Sequence, residues 1–144
     1  SLYSTGLVFL WTEYYEKALP YFKEAVKKKP RWADAYILIE YCNDELGRYT
    51  EAISAYKQAI RIQPDYAEAH YNLGATYDKL GRYTEEIEAY KQAIRIKPDY
   101  AEAHFGLGFI YLILEDRSSA LDQYKILKNL NKDLANQLFN LIYK

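Results

Sequence analysis

The apolar positions of the chain recur at the spacing of helices that bury one face. One helix is predicted over 67–80, where Gly81 follows as a C-terminal stop. A second helix is predicted to begin with Thr84 as its N-cap and to close at Pro98. The apolar faces of these two helices are formed by Leu73, Gly74, Tyr77 and Leu80, and by Ile87, Tyr90, Ala93 and Ile94. The pattern therefore predicts a helical hairpin with a short connecting loop.

The same hairpin pattern repeats along the chain with a period of 34 residues. Pro30, Pro64 and Pro98 are separated by that interval, and segment 46–74 overlays segment 80–108 with 24 of 29 positions identical. Two more divergent copies flank this pair. A period in this range is typical of stacked helical repeats. The predicted units are 1–32, 33–66, 67–100 and 101–134.

The starts of several helices carry recognisable signals. Asp65 with Glu68, and Asp99 with Glu102, have the spacing of capping boxes for the helices that follow them. The tail 135–144 is predicted to form one more helix, with Asp133 as its N-cap. Its apolar residues in the core register are Leu138, Leu141 and Ile142. Such a helix would cover the exposed core of the last repeat.

The residues at fixed places in each unit carry a family resemblance. They are small residues at Gly74 and Gly108, aromatic Tyr77 and Tyr111, glycines at Gly47 and Gly81, alanines at Ala18, Ala52 and Ala120, and tyrosines at Tyr56, Tyr90 and Tyr124. With the spaced prolines, they make the chain resemble the tetratricopeptide repeat along essentially its whole length. The resemblance implies an all-α right-handed superhelix of four helical hairpins and one capping helix, in a single domain over 1–144.

The resemblance also implies a concave groove lined by the first helices of successive units. Its predicted contact residues are Tyr3, Leu7, Trp11, Asp34, Ile37, Leu38, Tyr41, Asp44, Glu68, Tyr71, Asn72, Ala75, Asp78, Glu102, Phe105 and Phe109, with Ser4, Leu10, Glu45, Lys79, Gly106, Leu112 and Ile113 at the remaining positions. In this set an apolar and aromatic stripe lies beside a row of carboxylates. Such a surface suits an amphipathic or a basic-and-apolar segment of another protein. The other interpretation is that the acids are solvated helix starts and the aromatic rings pack on one another.

Charge and composition narrow the classes of partner. Lysine plus arginine number 19 and aspartate plus glutamate 20, so the formal net charge is −1 and a nucleic-acid partner is not expected. No apolar stretch is long enough for membrane insertion. A single cysteine, Cys42, excludes an internal disulfide and is consistent with a reducing compartment, of which the cytoplasm is favoured. The chain has no methionine, and we interpret it as part of a longer protein.

The sequence offers little for catalysis, and we predict neither a metal, nor a cofactor, nor an enzyme active site. His70 and His104 occupy the same place in adjacent units, where stacked helices lie about 8–10 Å apart and cannot both reach one ion. Both histidines are expected to pack between repeats. Cys42 is expected to be a small buried apolar residue.

The predicted function is that of a non-catalytic scaffold or adaptor that binds a peptide or a partner helix in the groove. Two alternatives stay open. The array could mediate self-association, which would make it a homo-oligomeric assembly module. It could also be the recruiting domain of a larger enzyme whose active site lies outside this chain.

One residue departs from the repeat at a packing position. Glu86 stands where other units have Ala18, Ala52 and Ala120. The resemblance implies that this position packs against the small residue of the first helix, here Gly74. Because Glu86 falls in the first turn of its helix, we expect its side chain to tilt outward to water. The alternative is a local widening of the third hairpin.

Overall fold

The computed structural model describes residues 1–144 as an all-α chain of nine helices, as predicted. The helices are α1 (Leu2–Trp11), α2 (Tyr15–Lys28), α3 (Ala33–Glu45), α4 (Tyr49–Ile62), α5 (Ala67–Lys79), α6 (Tyr83–Ile96), α7 (Ala101–Ile113), α8 (Arg117–Leu130) and α9 (Lys132–Ile142). Each helix packs against the next one along the chain, and α9 packs against both α7 and α8. The result is a right-handed superhelix of four hairpins followed by a ninth helix.

The turn inside each hairpin uses the left-handed backbone region. Gly47 and Gly81 have φ of 74° and 67°, and Glu13 and Glu115 adopt the same conformation with φ of 62° and 63°. In the third hairpin, the N–H of Gly81 donates to the carbonyl of Asp78, and that of Arg82 donates to the carbonyl of Tyr77. This pair of bonds is a Schellman motif, which stops the first helix and reverses the chain. The predicted role of Gly47 and Gly81 as helix terminators is confirmed.

Three predicted N-caps are wrong because the turns run differently. Helix α6 begins at Tyr83, directly after the Schellman turn, so Thr84 lies within its first turn. The backbone N–H of Tyr66 donates to the carbonyl of Gln63, which closes a turn around Pro64 and Asp65. The tyrosine, not the aspartate, then becomes the N-cap of α5, and no side-chain cap bond forms. The equivalent turn before α7 likewise makes Tyr100 the N-cap, so neither capping box forms.

Small residues let the two helices of a hairpin approach closely. A Cβ on Gly74 would lie 2.7 Å from the Tyr90 ring, and one on Gly6 would lie 2.6 Å from the ring of Phe22. Ala18, Ala52 and Ala120, on the opposing second helices, have no exposed surface. Cys42 is also fully buried, as expected.

The ninth helix covers the last hairpin with its apolar face. It begins at Lys132 with Asn131 as the N-cap, whose Oδ1 accepts from the Leu134 N–H at 3.0 Å. The predicted cap Asp133 is therefore wrong and lies inside the first turn. Leu138 and Ile142 are buried in a cluster with Ala120 and Leu127 of α8.

Candidate functional site

The predicted groove residues differ in how far they remain accessible. Exposed members are Trp11, Asp34, Tyr41, Glu68, Glu102 and Phe109. Partly exposed members are Tyr3, Leu7, Leu38, Asp44, Tyr71, Asn72, Ala75, Asp78 and Phe105. Ile37 is buried among Ile53, Tyr56 and Leu73. The structure thus leaves all of this set except Ile37 with surface that a partner can reach.

Three exposed carboxylates lie in the first turns of α3, α5 and α7. Asp34, Glu68 and Glu102 occupy the same place in successive units, where a negative charge favours the helix dipole. The Asp34 carboxylate accepts from the hydroxyl of Tyr66, in the turn before the next first helix, at 2.7 Å. Burial, and then the bond to Asp34, raises the pKa of Tyr66, which therefore stays a neutral donor. The three acids combine a helix-start role with an exposed negative row.

Aromatic rings on the first helices are partly occupied by one another. Tyr71 lies 5.6 Å from Tyr90 and 5.1 Å from Tyr100, measured between ring centroids. Phe105 and Phe109 stack at 6.5 Å. Tyr41 meets only the edge of Tyr15, at 5.9 Å, and remains 42% exposed. The rings therefore pack on one another and still present apolar surface at Tyr41 and Phe109.

Asp44 is an internal anchor between repeats. Its Oδ1 accepts from the Thr76 hydroxyl at 2.9 Å, and its Oδ2 forms an ion pair with Lys79. Both donors lie on α5, so the contact ties α3 to the first helix of the next unit. This carboxylate is already neutralised by the chain's own cation.

The prediction that Glu86 tilts outward to water is wrong. Its side chain is only 2% exposed, and its Oε2 has no hydrogen-bond partner. Burial, and then the negative charge of Asp78, raises the pKa of Glu86 to about 8. The side chain lies inside the hairpin, near Asp78 of the facing helix α5, so the carboxyl is held largely protonated at neutral pH.

A second buried carboxylate, Glu40, was missed by the sequence analysis. It is 1% exposed, its Oε2 is unpartnered, and burial raises its pKa to about 9. The hydroxyl of Tyr56 lies within hydrogen-bonding reach of Glu40. The signal was present in the sequence, because the period places Glu40 in register with Gly6, Gly74 and Gly108.

The two histidines hold the turns between repeats. Nε2 of His70 lies 3.0 Å from the carbonyl of Pro64, and Nε2 of His104 lies 2.8 Å from that of Pro98. Nδ1 of His104 also lies 2.7 Å from Oε1 of Gln123 on α8. This agrees with the predicted packing role. Burial raises the pKa of the Cys42 thiol to about 12, so a reactive thiolate does not form near neutral pH.

None of the helices has the length and apolar character that a membrane span requires.

Comparisons with known proteins agree on the repeat architecture. The sequence model described as "TPR repeat" matches residues 45–81 and 77–114. A comparison with curated proteins finds no match. The crystal structure of MamA superposes with a TM-score of 0.87 at 28% identity, covering 94% of this chain and 79% of that chain. TTC0263, a thermophilic TPR protein of Thermus thermophilus, superposes with a TM-score of 0.82 at 26% identity. The match covers 99% of this chain and 80% of that chain.

A third similar structure is that of YrrB, described as a TPR protein with an unusual peptide-binding site. It superposes with a TM-score of 0.84 at 20% identity, covering 96% of this chain and 73% of that chain. At that identity the likeness concerns the fold alone. The 34-residue period, the stacked hairpins, the sequence match and these superpositions lead to one conclusion: the chain belongs to the tetratricopeptide repeat family.

Proposed function

We propose that this chain is a non-catalytic scaffold that binds a segment of another protein along the inner face of its first helices. Tetratricopeptide repeat proteins are scaffolds for protein interaction. The observation that carries the proposal is the combination of accessible rings with accessible carboxylates on one set of helices. Tyr41 and Phe109 are 42% and 38% exposed, and the acids Glu68 and Glu102 on the same set of helices are exposed as well.

This surface favours a partner with apolar and basic side chains. The rings supply apolar area that is released from water on binding, at roughly 25 cal/mol per Å². The carboxylates steer a basic segment and set its register more than they add affinity. A segment that is both apolar and basic satisfies the two requirements together, whereas an acidic segment would be repelled.

A binding titration tests this function. A fluorescein-labelled amphipathic peptide of leucine and lysine is compared with its leucine–glutamine counterpart by fluorescence anisotropy. We expect the lysine peptide to bind more tightly, with an affinity that falls as salt is added, because exposed charges are screened. Two double variants are compared. The inner-face double variant combines Glu68→Gln with Glu102→Gln, and the second-helix double variant, which is the control, combines Glu51→Gln with Glu88→Gln.

The outcomes separate the groove from general attraction between charges. The inner-face double variant should lose the preference for lysine, and the second-helix double variant should keep it. If both double variants lose the preference equally, the attraction is general and the groove has no special role. Binding of neither peptide at any salt concentration would contradict the proposed function.

Self-association is the second candidate, and exposed apolar side chains at the ends of the array favour it. On α1, Val8 and Trp11 are 59% and 79% exposed, and at the other end Phe139 and Tyr143 are 41% and 52% exposed. Head-to-tail contact between such ends would join copies into chains. Light scattering across concentration distinguishes the two: a constant mass of 17.0 kDa fits a monomeric scaffold, and a rising mass fits assembly.

A further inference from the structure

Each of the two middle units contains a pair of neighbouring carboxylates. In unit 33–66, the buried Glu40 lies beside Asp44, and in unit 67–100 the buried Glu86 lies within hydrogen-bonding reach of Asp78. Glu40 and Glu86 each have one oxygen without a hydrogen-bond partner. Asp44 and Asp78 are partly exposed and occupy the same place in successive first helices. In the first pair both residues lie on α3, whereas in the second Asp78 lies on α5 and Glu86 on α6. The pairs share the place of the aspartate, and their surroundings differ.

In the first pair, the charge of Asp44 is neutralised by groups from the next unit. Thr76 donates to Asp44 Oδ1, and Lys79 forms an ion pair with Asp44 Oδ2. Charge-assisted bonds of this kind are stronger than those between neutral groups. Asp44 thus shows how this array satisfies a carboxylate at that place: one hydroxyl and one ammonium come from the following first helix.

The second pair lacks both of these groups. One period after Thr76 and Lys79 the chain has Ile110 and Ile113. Ile110 is fully buried, and Ile113 is 43% exposed at the end of α7. Neither Asp78 nor Glu86 forms an ion pair with any cation of the chain. Asp78 therefore occupies the place that Asp44 has in the preceding unit but is left without a cation of the chain.

Aromatic rings border the same place. A Cβ on Gly74 or on Gly106 would lie 2.7 Å or 2.8 Å from the Tyr90 ring, so Tyr90 is wedged against both helices. Burial, and then the charge of Glu86, raises the pKa of Tyr90, which stays neutral. Tyr71 lies against Tyr90 on the α5 side. Neutral aromatic rings beside carboxylates favour a cation with an apolar stem.

We propose that Asp78 and Glu86 form a socket for one lysine side chain of the bound segment, whose ammonium takes the place toward Asp78 that Lys79 takes toward Asp44. This inference rests on the proposed function, since the lysine belongs to the segment held by the first helices. The raised pKa of Glu86, about 8, leaves the pair with about one negative charge near neutral pH. One ammonium at Asp78 matches that charge.

The test uses a leucine–glutamine peptide with one central lysine and the same peptide with that lysine N-acetylated. Acetylation removes the charge and keeps the stem. We expect the wild-type protein to bind the lysine peptide about tenfold more tightly, as fits one charge-assisted contact. Asp78→Asn should abolish that preference. Glu88→Gln, an exposed carboxylate on α6, is the matched control and should retain it.

A second variant adds a lysine to the chain itself, at the place from which a cation could reach Asp78. Ile113→Lys restores at α7 the lysine that Lys79 provides at α5, so it should occupy the socket and remove the preference for the lysine peptide. Ile113→Gln loses the same apolar side chain without adding a charge and should keep the preference. Because Ile113 is partly exposed, both variants are expected to fold, which circular dichroism checks.

The outcomes distinguish the socket from the groove. Equal wild-type affinity for the two peptides would overturn the socket and leave the proposed function standing. A preference that survives both Asp78→Asn and Ile113→Lys would overturn it as well. Binding of neither peptide would contradict the proposed function and the socket with it.

Discussion

Two carboxylates lie at packing positions that the other units give to glycine or alanine. Glu40 is in register with Gly74, and Glu86 is in register with Ala52. Both are almost fully buried, and each has an unpartnered oxygen. Burying an ionised carboxylate without a counter-charge costs several kcal/mol, so the folded chain favours their protonated forms.

The raised pKa values make stability depend on pH in a defined direction. Glu40 and Glu86 bind protons more tightly in the folded chain than in the unfolded chain, where the ordinary value is 4.5. The contribution of these two groups to the free energy of unfolding is therefore largest below that value and is lost as the pH rises through about 8 for Glu86 and about 9 for Glu40. Glu86→Ala should stabilise the protein at alkaline pH by about 1 kcal/mol or more, and should flatten this fall.

Urea denaturation across pH measures this effect, with Glu88→Ala as the matched control. Glu88 lies two residues along the same helix and is exposed, so its replacement should leave the pH dependence unchanged. A Glu86→Ala protein that is less stable than the wild type at alkaline pH would show that the carboxylate makes a favourable contact when ionised.

The sequence could indicate the anomaly at Glu86 but not where the side chain points. Position in a first turn favoured an outward tilt, but the side chain is buried near Asp78 of α5. That placement depends on how α5 and α6 pack against each other, which local sequence does not show. Glu40 was detectable from the period alone, because its register with Gly6, Gly74 and Gly108 is visible in the printed sequence.

At the scale of elements, period and glycine position predicted the hairpins better than the cap residues did. Gly47 and Gly81 marked two turns, and one period away from them Glu13 and Glu115 hold the same left-handed conformation without a glycine. The predicted capping boxes do not form, because backbone hydrogen bonds close turns around Asp65 and Asp99. The N-cap of each following helix is therefore one residue later than predicted. Backbone turn geometry competes with side-chain caps, and the sequence does not show which prevails.

The ninth helix is expected to stabilise the array by covering the last hairpin. Leu138 fits against Gly108, where an added Cβ would lie 2.5 Å from it. Deletion of 132–144 should lower the thermal midpoint and promote aggregation, because the stability of stacked repeats is approximately a sum of unit and interface terms. Differential scanning calorimetry and light scattering report the two effects.

Point variants test whether α9 stabilises the array by covering the core or only by lengthening the chain. Leu138→Ala should destabilise the protein by about 2–4 kcal/mol, since Leu138 has no exposed surface. Asn136→Ala, on the exposed side of α9, should have little effect. If the truncated protein stays soluble with an unchanged midpoint, α9 does not act as a cap.

At the scale of the whole molecule, the inner face varies in polarity along the array. The middle units present Asp44 and Asp78 where the outer units present Leu10 and Leu112. Of these two acids only Asp78 lacks a cation of the chain, so a partner with one basic residue between apolar flanks matches this order. The period and the family resemblance predict which positions form the inner face, and that assignment stays a prediction. They could not show that Ile37 is buried or that Asp44 already has its cation, because both depend on contacts between units.

The central claim is that the first helices, and not the second helices or the ends, bind the partner segment. Backbone amide chemical shifts of the labelled 17.0 kDa protein, followed during titration with the leucine–lysine peptide, test it most directly. We predict that the largest changes cluster around inner-face positions such as Tyr41, Ala75 and Phe109. Changes centred on exposed second-helix positions such as Lys57 and Lys91, or on the two ends of the array, would contradict the claim.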